Sequence, residues 1–150
     1  MPGSYLSLYY HIIFSTKQRQ CWLEPDVRTR LWSYMGGILK NHHAMPIAIG
    51  GVDDHVHMIA SLHQTVTVAD TVRRVKAHSS LWLKETFPAL REFAWQEAYA
   101  GFTIHFGLLD SATSYVANQE EHHREQSFQD EVVRFLKRHG VQYDERYIWK

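Results

Sequence analysis

Two histidines separated by a single residue, His55 and His57, form the pattern in this sequence with the clearest chemical potential. They lie in a short apolar run that follows a pair of aspartates and has the composition of a β-strand. Side chains two positions apart in a strand point to the same face, so both imidazoles should leave the sheet together. Two neutral imidazoles at this separation form half of a divalent-metal site. The chain has 11 histidines, so on spacing alone it is equally open that His55 and His57 are unrelated and share no site.

A tyrosine and a glutamine four positions apart, Tyr115 and Gln119, have the residue types that would complete such a site. In a helix this spacing places both on one face. The amide oxygen of Gln119 is a usable third ligand for a hard cation, and the phenol of Tyr115 is a nucleophile for phosphorus. A bound cation reduces the repulsion between phosphodiester oxygens and an incoming anion. Taken singly, Tyr115 would more often be a half-buried aromatic of an amphipathic helix, and Gln119 an exposed amide. Only their combination with the histidines predicts phosphodiester chemistry.

The elements that must position these residues follow from hydrophobic periodicity and turn residues. β-Branched and aromatic runs predict strands over 5–14, 45–52, 55–62 and 95–106. Helical spacing and capping residues predict helices over 25–41, 67–86, 111–125 and 128–139. The order of the first six elements predicts an α+β ferredoxin-like sandwich, with a four-stranded antiparallel sheet and two helices on one face. The extra C-terminal helices then need the free face of the sheet or a partner subunit.

Length and composition indicate one globular domain over residues 1–150, with 45% hydrophobic and 21% charged residues. The chain has no apolar run of membrane-spanning length and no signal-peptide pattern, so we expect a cytoplasmic protein without membrane contact. A single cysteine, Cys21, fits a reducing compartment. Because 16 basic residues balance 16 acidic ones, nucleic-acid binding would have to use a local patch. The clearest basic cluster is Arg73, Arg74 and Lys76 in the second predicted helix.

With these motifs the chain resembles the single-tyrosine HUH transposases, small enzymes of bacterial insertion sequences that cut and rejoin single-stranded DNA. The family's His–apolar–His strand matches His55-Val56-His57, and its Tyr-x-x-x-Gln helix matches Tyr115 and Gln119. Other similar segments are 9–16, 72–76, 95–96, 118–124 and 143–147. The resemblance therefore extends over nearly the whole chain.

The resemblance implies a mechanism and partners that composition does not. It implies a divalent metal, Mg or Mn, held by His55, His57 and Gln119. It implies attack by Tyr115 on DNA, which leaves a 5′-phosphotyrosine and a free 3′-OH. It also implies recognition of hairpins in single-stranded DNA at element ends, and a homodimer with composite active sites in which the tyrosine helix docks on the partner's sheet. On charge and position only, we assign DNA-phosphate contacts to Arg73, Arg74 and Lys76.

Two other functions stay open at this point. A host-retained relative that binds or processes repeated genomic palindromes would share every site residue, so the sequence does not separate it from an active transposase. A metal phosphoesterase built on the His-x-His pattern is the other alternative. The histidine-triad hydrolases continue with a third histidine where this chain has Ile59, and this interpretation gives Tyr115 and Gln119 no role.

Overall fold

A computed structural model describes residues 3–150, apart from the side chain of Glu125. The four strands are β1 (Tyr9–Ser15), β2 (Ala44–Val52), β3 (His55–Leu62) and β4 (Ala100–Ile104). The α-helices are α1 (Pro25–Asn41), α2 (Val68–Thr86), α3 (Leu109–Ala117), α4 (Gln119–Glu125) and α5 (Phe128–Arg138). No helix in this part of the chain has both the length and the apolar composition needed to cross a membrane.

The four strands form one antiparallel sheet in the order β2-β3-β1-β4. With α1 and α2 as the crossover helices, this order confirms the predicted ferredoxin-like sandwich. A two-residue turn joins β2 to β3, and the resulting register pairs His57 with Ile13 on one side and with Gly50 on the other. Directly opposed residues share a face of the sheet, so His57 lies on the same face as Ile13.

The face of the sheet opposite to the histidines carries the main hydrophobic core. Val56 and Met58 of β3 and Ile12 and Phe14 of β1 are buried there beneath α1 and α2. Helix α2 begins after Thr67, whose hydroxyl caps the helix by accepting a hydrogen bond of 3.0 Å from a backbone N–H in the first turn. Alternation along β3 thus assigns one face to packing and leaves the other for the histidines.

The C-terminal helices cover that second face within the same chain. Phe128, Val132 and Leu136 of α5 pack against Ile13 and other apolar residues of the sheet. Helix α3 lies directly over β2 at Gly50, where an added Cβ would stand 2.5 Å from the backbone oxygen of Val116. The absence of a side chain at this strand position therefore allows the backbones of α3 and β2 to approach closely.

Two predicted strand boundaries were wrong, because pairing ends earlier than composition suggests. Strand β1 begins at Tyr9 rather than at residue 5, since its two neighbours provide partners only from Tyr9 onward. Strand β4 begins at Ala100 rather than at residue 95. Trp95 forms only an isolated bridge with Thr16, and the side-chain oxygen of Gln96 accepts the hydrogen bond from the backbone N–H of Ser15 at 2.6 Å.

Candidate active site

The two histidines of β3 are fully buried, with 0% of either residue exposed, and each is held by a partner at Nδ1. Nδ1 of His55 lies 2.8 Å from Oδ1 of Asp54, and Nδ1 of His57 lies 2.7 Å from Nε2 of His11. Such contacts orient histidines that bind metal ions and select the proton-bearing nitrogen. Both Nε2 atoms are thereby directed toward the C-terminal helices.

The rings of His11 and His57 are neutral near pH 7. Burial, together with the neighbouring His57, lowers the pKa of His11 to about 3. Burial lowers the pKa of His57 to about 4, and the nearby carboxylate of Glu131 offsets only part of this effect. Neutral imidazole is the form that binds a cation. A cation on Nε2 of His57 would leave the proton on its Nδ1, which then donates to Nε2 of His11.

Three further side chains bring donor atoms to the same point. Oε1 of Gln119 lies 3.1 Å from Nε2 of His55 and 3.1 Å from Nε2 of His123. The ligand atoms of His55, His57, His123 and Glu131 all lie within 4.8 Å of one another. The amide and carboxylate oxygens are ligands that magnesium and manganese prefer, and the imidazoles supply nitrogen donors. The residues present therefore fit a divalent cation.

Glu131 was not predicted from the sequence, although it is the most connected residue of the site. It lies in the apolar stripe of α5 and is 0% exposed, a position where an unpaired carboxylate would be very costly. Oε1 lies 2.9 Å from Nε2 of His57 and 3.4 Å from Nε2 of His123. Burial by itself would raise the pKa of Glu131, but its contacts with His123 and His57 outweigh burial and hold the pKa well below its usual range. The signal available in the sequence was weak, since both Asp130 and Glu131 lie between Phe128 and Val132 and only the position of Glu131 beside Val132 indicates the buried side of the helix.

The phenol of Tyr115 reaches the same carboxylate. Its hydroxyl donates a hydrogen bond to Oε2 of Glu131, and Nη2 of Arg134 donates to the phenol oxygen at 3.3 Å. Burial and the Glu131 carboxylate raise the pKa of Tyr115 above its usual value, while Arg134 opposes that rise. The resting phenol is therefore protonated. Glu131 joins Tyr115 to the histidine cluster, with one carboxylate oxygen on each side.

The prediction that residues 111–125 form one continuous helix was wrong. Helix α3 ends at Ala117, and Asn118 has φ −103° and ψ 29° before α4 begins. The backbone N–H of Asn118 bonds to the carbonyls of the preceding turn, and asparagine favours such local, non-helical arrangements. After this break Gln119 is buried against His55 while α3 stays over β2. Tyr115 and Gln119 thus come from two helices and still meet at one site.

Sequence comparison identifies the family. Residues 4–119 match the family model described as Transposase IS200 like. The chain belongs to this family of transposases. It is 23% identical over 124 residues to the ISDra2 transposase TnpA of Deinococcus radiodurans, a match that covers 79% of this chain and 89% of that protein.

Two solved structures share the fold of this IS200-like transposase. One is described as a transposase from Deinococcus radiodurans R1, with a TM-score of 0.67, 23% identity, and coverage of 79% of this chain and 95% of that chain. The other is a REP-associated tyrosine transposase bound to a REP hairpin, with a TM-score of 0.61 and 14% identity. That match covers 96% of this chain and 93% of the other. The family match ends at Gln119, so His123, Glu131 and Arg134 lie beyond it.

The predicted DNA-phosphate contacts of this IS200-like transposase lie on α2, on the other side of the sheet. Nζ of Lys76 donates to the backbone oxygens of residues 96, 97 and 98 at 2.7, 3.1 and 2.9 Å. Its three N–H bonds are therefore occupied in holding the segment before β4, which disfavours a phosphate contact by Lys76. Arg73 and Arg74 are exposed and pair with Asp70. The structure does not bring these three residues to Tyr115, and a phosphate-binding role for Arg73 and Arg74 stays a prediction.

Proposed function

We propose that this IS200-like transposase cleaves and rejoins single-stranded DNA in a metal-dependent reaction with Tyr115 as the nucleophile. The observation that carries the proposal is the connection of the Tyr115 hydroxyl to the histidine cluster through the two oxygens of Glu131. A nucleophile and a cation-binding donor set at one point are what attack on a phosphodiester needs.

The donor set divides the roles among the residues of the chain. Nε2 of His55, Nε2 of His57 and Oε1 of Gln119 would hold the cation, Mg or Mn, with Glu131 as a further oxygen ligand. When bound, the cation would neutralise charge on the phosphate oxygens and orient the scissile bond. Asp54 and His11 would keep the histidine rings in place from behind.

The bond changes at the phosphate are those that the resemblance to the family implies. An O–P bond forms from the oxygen of Tyr115 while the bond from phosphorus to the 3′ oxygen breaks. The phenol loses its proton and the departing 3′ oxygen takes one up, so the products are a 5′-phosphotyrosine and a free 3′-OH. Rejoining is the reverse step with a different 3′-OH. Because the phosphotyrosine conserves the energy of the phosphodiester, no nucleotide cofactor is required.

The test is a search for the covalent product. Labelled single-stranded DNA from the flanks of the gene is incubated with the protein and manganese or magnesium, then separated by denaturing electrophoresis. We expect a shifted protein–DNA species that chelation prevents. The variant Tyr115→Phe should lose this species and keep hairpin binding. Persistence of the adduct in that variant would show that Tyr115 is not the nucleophile.

The homodimer with composite active sites requires a separate test, since Tyr115 and Gln119 already meet the histidines of their own chain. Co-expression of the variants His57→Ala and Tyr115→Phe distinguishes the two arrangements. In a composite dimer, one site of each mixed pair has an intact histidine set and an intact tyrosine, so the adduct should reappear. A site built within one chain predicts no adduct from the mixture.

A second candidate, the host-retained relative that processes genomic palindromes, has one observation in its favour. The structure bound to a REP hairpin covers 96% of this chain and the Deinococcus structure covers 79%. The match with the hairpin-bound structure therefore extends over more of this chain. The genomic setting separates the candidates: multiple copies with flanking hairpin ends favour transposition, and a single copy among dispersed palindromes favours the retained role. The His-x-His phosphoesterase stays behind both, because it leaves Tyr115 unused.

A further inference from the structure

A cavity of about 500 Å³ opens beside Tyr115 and is lined by residues of β4, α3 and α5. Tyr115 and His11 line the cavity, whereas His55 and His57 do not. Pockets that hold one small ligand span roughly 300–1,000 Å³. The space is therefore suited to a single nucleotide next to the nucleophile and outside the cation-binding cluster.

One wall of the cavity is aromatic. The rings of Phe102 and Phe135 are stacked, with centroids 5.5 Å apart and an interplanar angle of 23°. The ring of His139 lies 4.4 Å from Phe102 at 30°. Unpaired bases stack on such surfaces, and stacking accepts every base because each has a π-face. Because Phe102 is itself buried, the rings available to a base that is not in a duplex are those of Phe135 and His139.

Two arginines stand at the same cavity. Arg134 and Arg138 are four positions apart on α5, so they project from one face of the helix. Among the described residues neither forms a salt bridge, whereas Arg28, Arg73 and Arg146 do. No aspartate or glutamate is among the described residues that line the cavity. Guanidinium groups with free N–H donors are the preferred protein ligands of phosphate.

We propose that this cavity binds the unpaired deoxynucleotide adjacent to the scissile phosphate. Its base stacks on Phe135 or His139, whose rings pack on the buried Phe102, and Arg134 and Arg138 bind its phosphate. The inference rests on the proposed function, because it takes Tyr115 as the nucleophile. Arg134 contacts the phenol oxygen and so connects the bound phosphate with the attacking atom. The α5 part of the cavity, with both arginines, lies beyond the region that matches the family model, so the C-terminal segment contributes the phosphate-binding part of this subsite.

The first arm of the test measures adduct formation against DNA concentration. Removal of a charge-assisted contact should raise the concentration for half-maximal adduct by about tenfold in Arg134→Gln and in Arg138→Gln. Arg134→Lys should recover part of the loss. Lys137→Gln is the matched control, since it removes a positive charge from the same helix at a residue that does not line the cavity. Equal behaviour of Arg134→Gln and Lys137→Gln would overturn the proposal.

The second arm removes the base instead of the charge. Single strands with an abasic site on either side of the cleaved position are compared with the intact strand. One of the two should form the adduct several-fold more slowly with the wild-type protein, and Phe135→Leu should show no such difference. Indifference of the wild-type protein to both abasic sites would exclude base stacking in the cavity.

Binding measurements keep the failure of this inference apart from failure of the proposed chemistry. In the Tyr115→Phe background, fluorescence anisotropy with the same labelled single strand reports on binding without cleavage. If the wild-type protein forms no adduct but Arg134→Gln still weakens binding, the chemistry is wrong and the cavity is supported. If the wild-type protein forms the adduct and the arginine variants bind like the control, the chemistry stands and the cavity is wrong.

Discussion

The two faces of the sheet bury different kinds of side chain, although both are formed by the same strands. Beneath α1 and α2, β3 places Val56 and Met58 in an apolar core. Beneath α4 and α5, the same strand buries His55 and His57 together with the carboxylate of Glu131. A buried apolar group needs only close packing, whereas a buried polar group is tolerated only when its hydrogen bonds are satisfied. The first face therefore contributes to the free energy of unfolding alone, whereas the second, beside its smaller apolar cluster, also keeps reactive groups in place at some cost to stability.

The largest contrast should appear between neighbouring positions of β3. Met58→Ala removes a fully buried side chain and should lower the free energy of unfolding by about 2–5 kcal/mol, with adduct formation per folded molecule unchanged. His57→Ala should abolish the adduct while costing about 1–3 kcal/mol, because it removes a ligand and one hydrogen-bond partner of Glu131. Urea unfolding and the gel assay measure the two effects. Loss of activity in folded Met58→Ala would contradict this division of roles.

Substitutions of Glu131 should show that the face of the sheet with His55 and His57 contributes more to cation binding than to stability. In Glu131→Leu an apolar side chain joins the stripe of Phe128 and Val132, which offsets most of the cost of leaving Tyr115 and His57 without this partner. We therefore expect a melting temperature only slightly below that of the wild type. Cation affinity should fall by about 10–100-fold, as for other residues that support a metal site. Manganese titration by calorimetry and a thermal melt measure both quantities. Glu131→Gln keeps a hydrogen-bond acceptor for Tyr115 and serves as the control. A large loss of stability in Glu131→Leu would mean that the carboxylate is needed for folding.

Two glycines give a smaller contrast of the same kind. Gly50→Ala would bring a Cβ to 2.5 Å from the backbone oxygen of Val116, so α3 must shift and carry Tyr115 with it. We expect an adduct rate lower by about 100-fold and a stability loss of about 1–3 kcal/mol. In Gly37→Ala, within α1, the added Cβ has no atom within 4 Å. This variant should raise the free energy of unfolding by about 0.5–1 kcal/mol and leave the adduct rate unchanged. An unchanged rate in Gly50→Ala would show that α3 is not positioned by this contact.

The smallest effect concerns a histidine on the α1–α2 side of the sheet. His42 is buried, and its Nε2 has no hydrogen-bond partner within the part of the chain that the structure describes, although Oδ2 of Asp70 lies 3.4 Å away. Burial, and next the charge of Arg74, lower the pKa of His42 below 6.5. On acidification through pH 6.5 the unfolded chain takes up this proton before the folded one, so stability contributed by neutral His42 is lost as the pH falls. Urea unfolding between pH 7.5 and about 5.5 should show a smaller loss for His42→Leu than for the wild type. Identical pH dependence would contradict the shifted pKa.

Local patterns predicted the parts of the site that lie within single elements. The bounds of α1 and β3 agree with the predicted ranges 25–41 and 55–62. The common face of His55 and His57 follows from the two-residue period of a strand. The pairing of Tyr115 with Gln119 was predicted from helical spacing, and the two do meet at one site, but through a helix break that spacing does not encode. The break matters because it allows each side chain to reach a different partner.

The remaining members of the site depend on contacts between distant parts of the chain. Glu131 meets His57 across 74 positions, and His11 meets His57 across 46. Lys76 is a second example, since the basic cluster predicted DNA contact and the structure shows its ammonium group bound to three backbone carbonyls, which the sequence pattern did not indicate. In both cases the role depends on which groups lie nearby in space, and charge or spacing along the chain does not report that.

By itself the sequence determined the α+β fold, the orientation of His55 and His57 and the identity of the candidate nucleophile, because each follows from local periodicity and residue chemistry. Only the tertiary structure decided that α3, α4 and α5 cover the histidine face of their own chain, which brings Glu131 between Tyr115 and His57. The physical reason is that a buried carboxylate must find donors wherever the fold brings them, and that pairing is a property of the packed molecule.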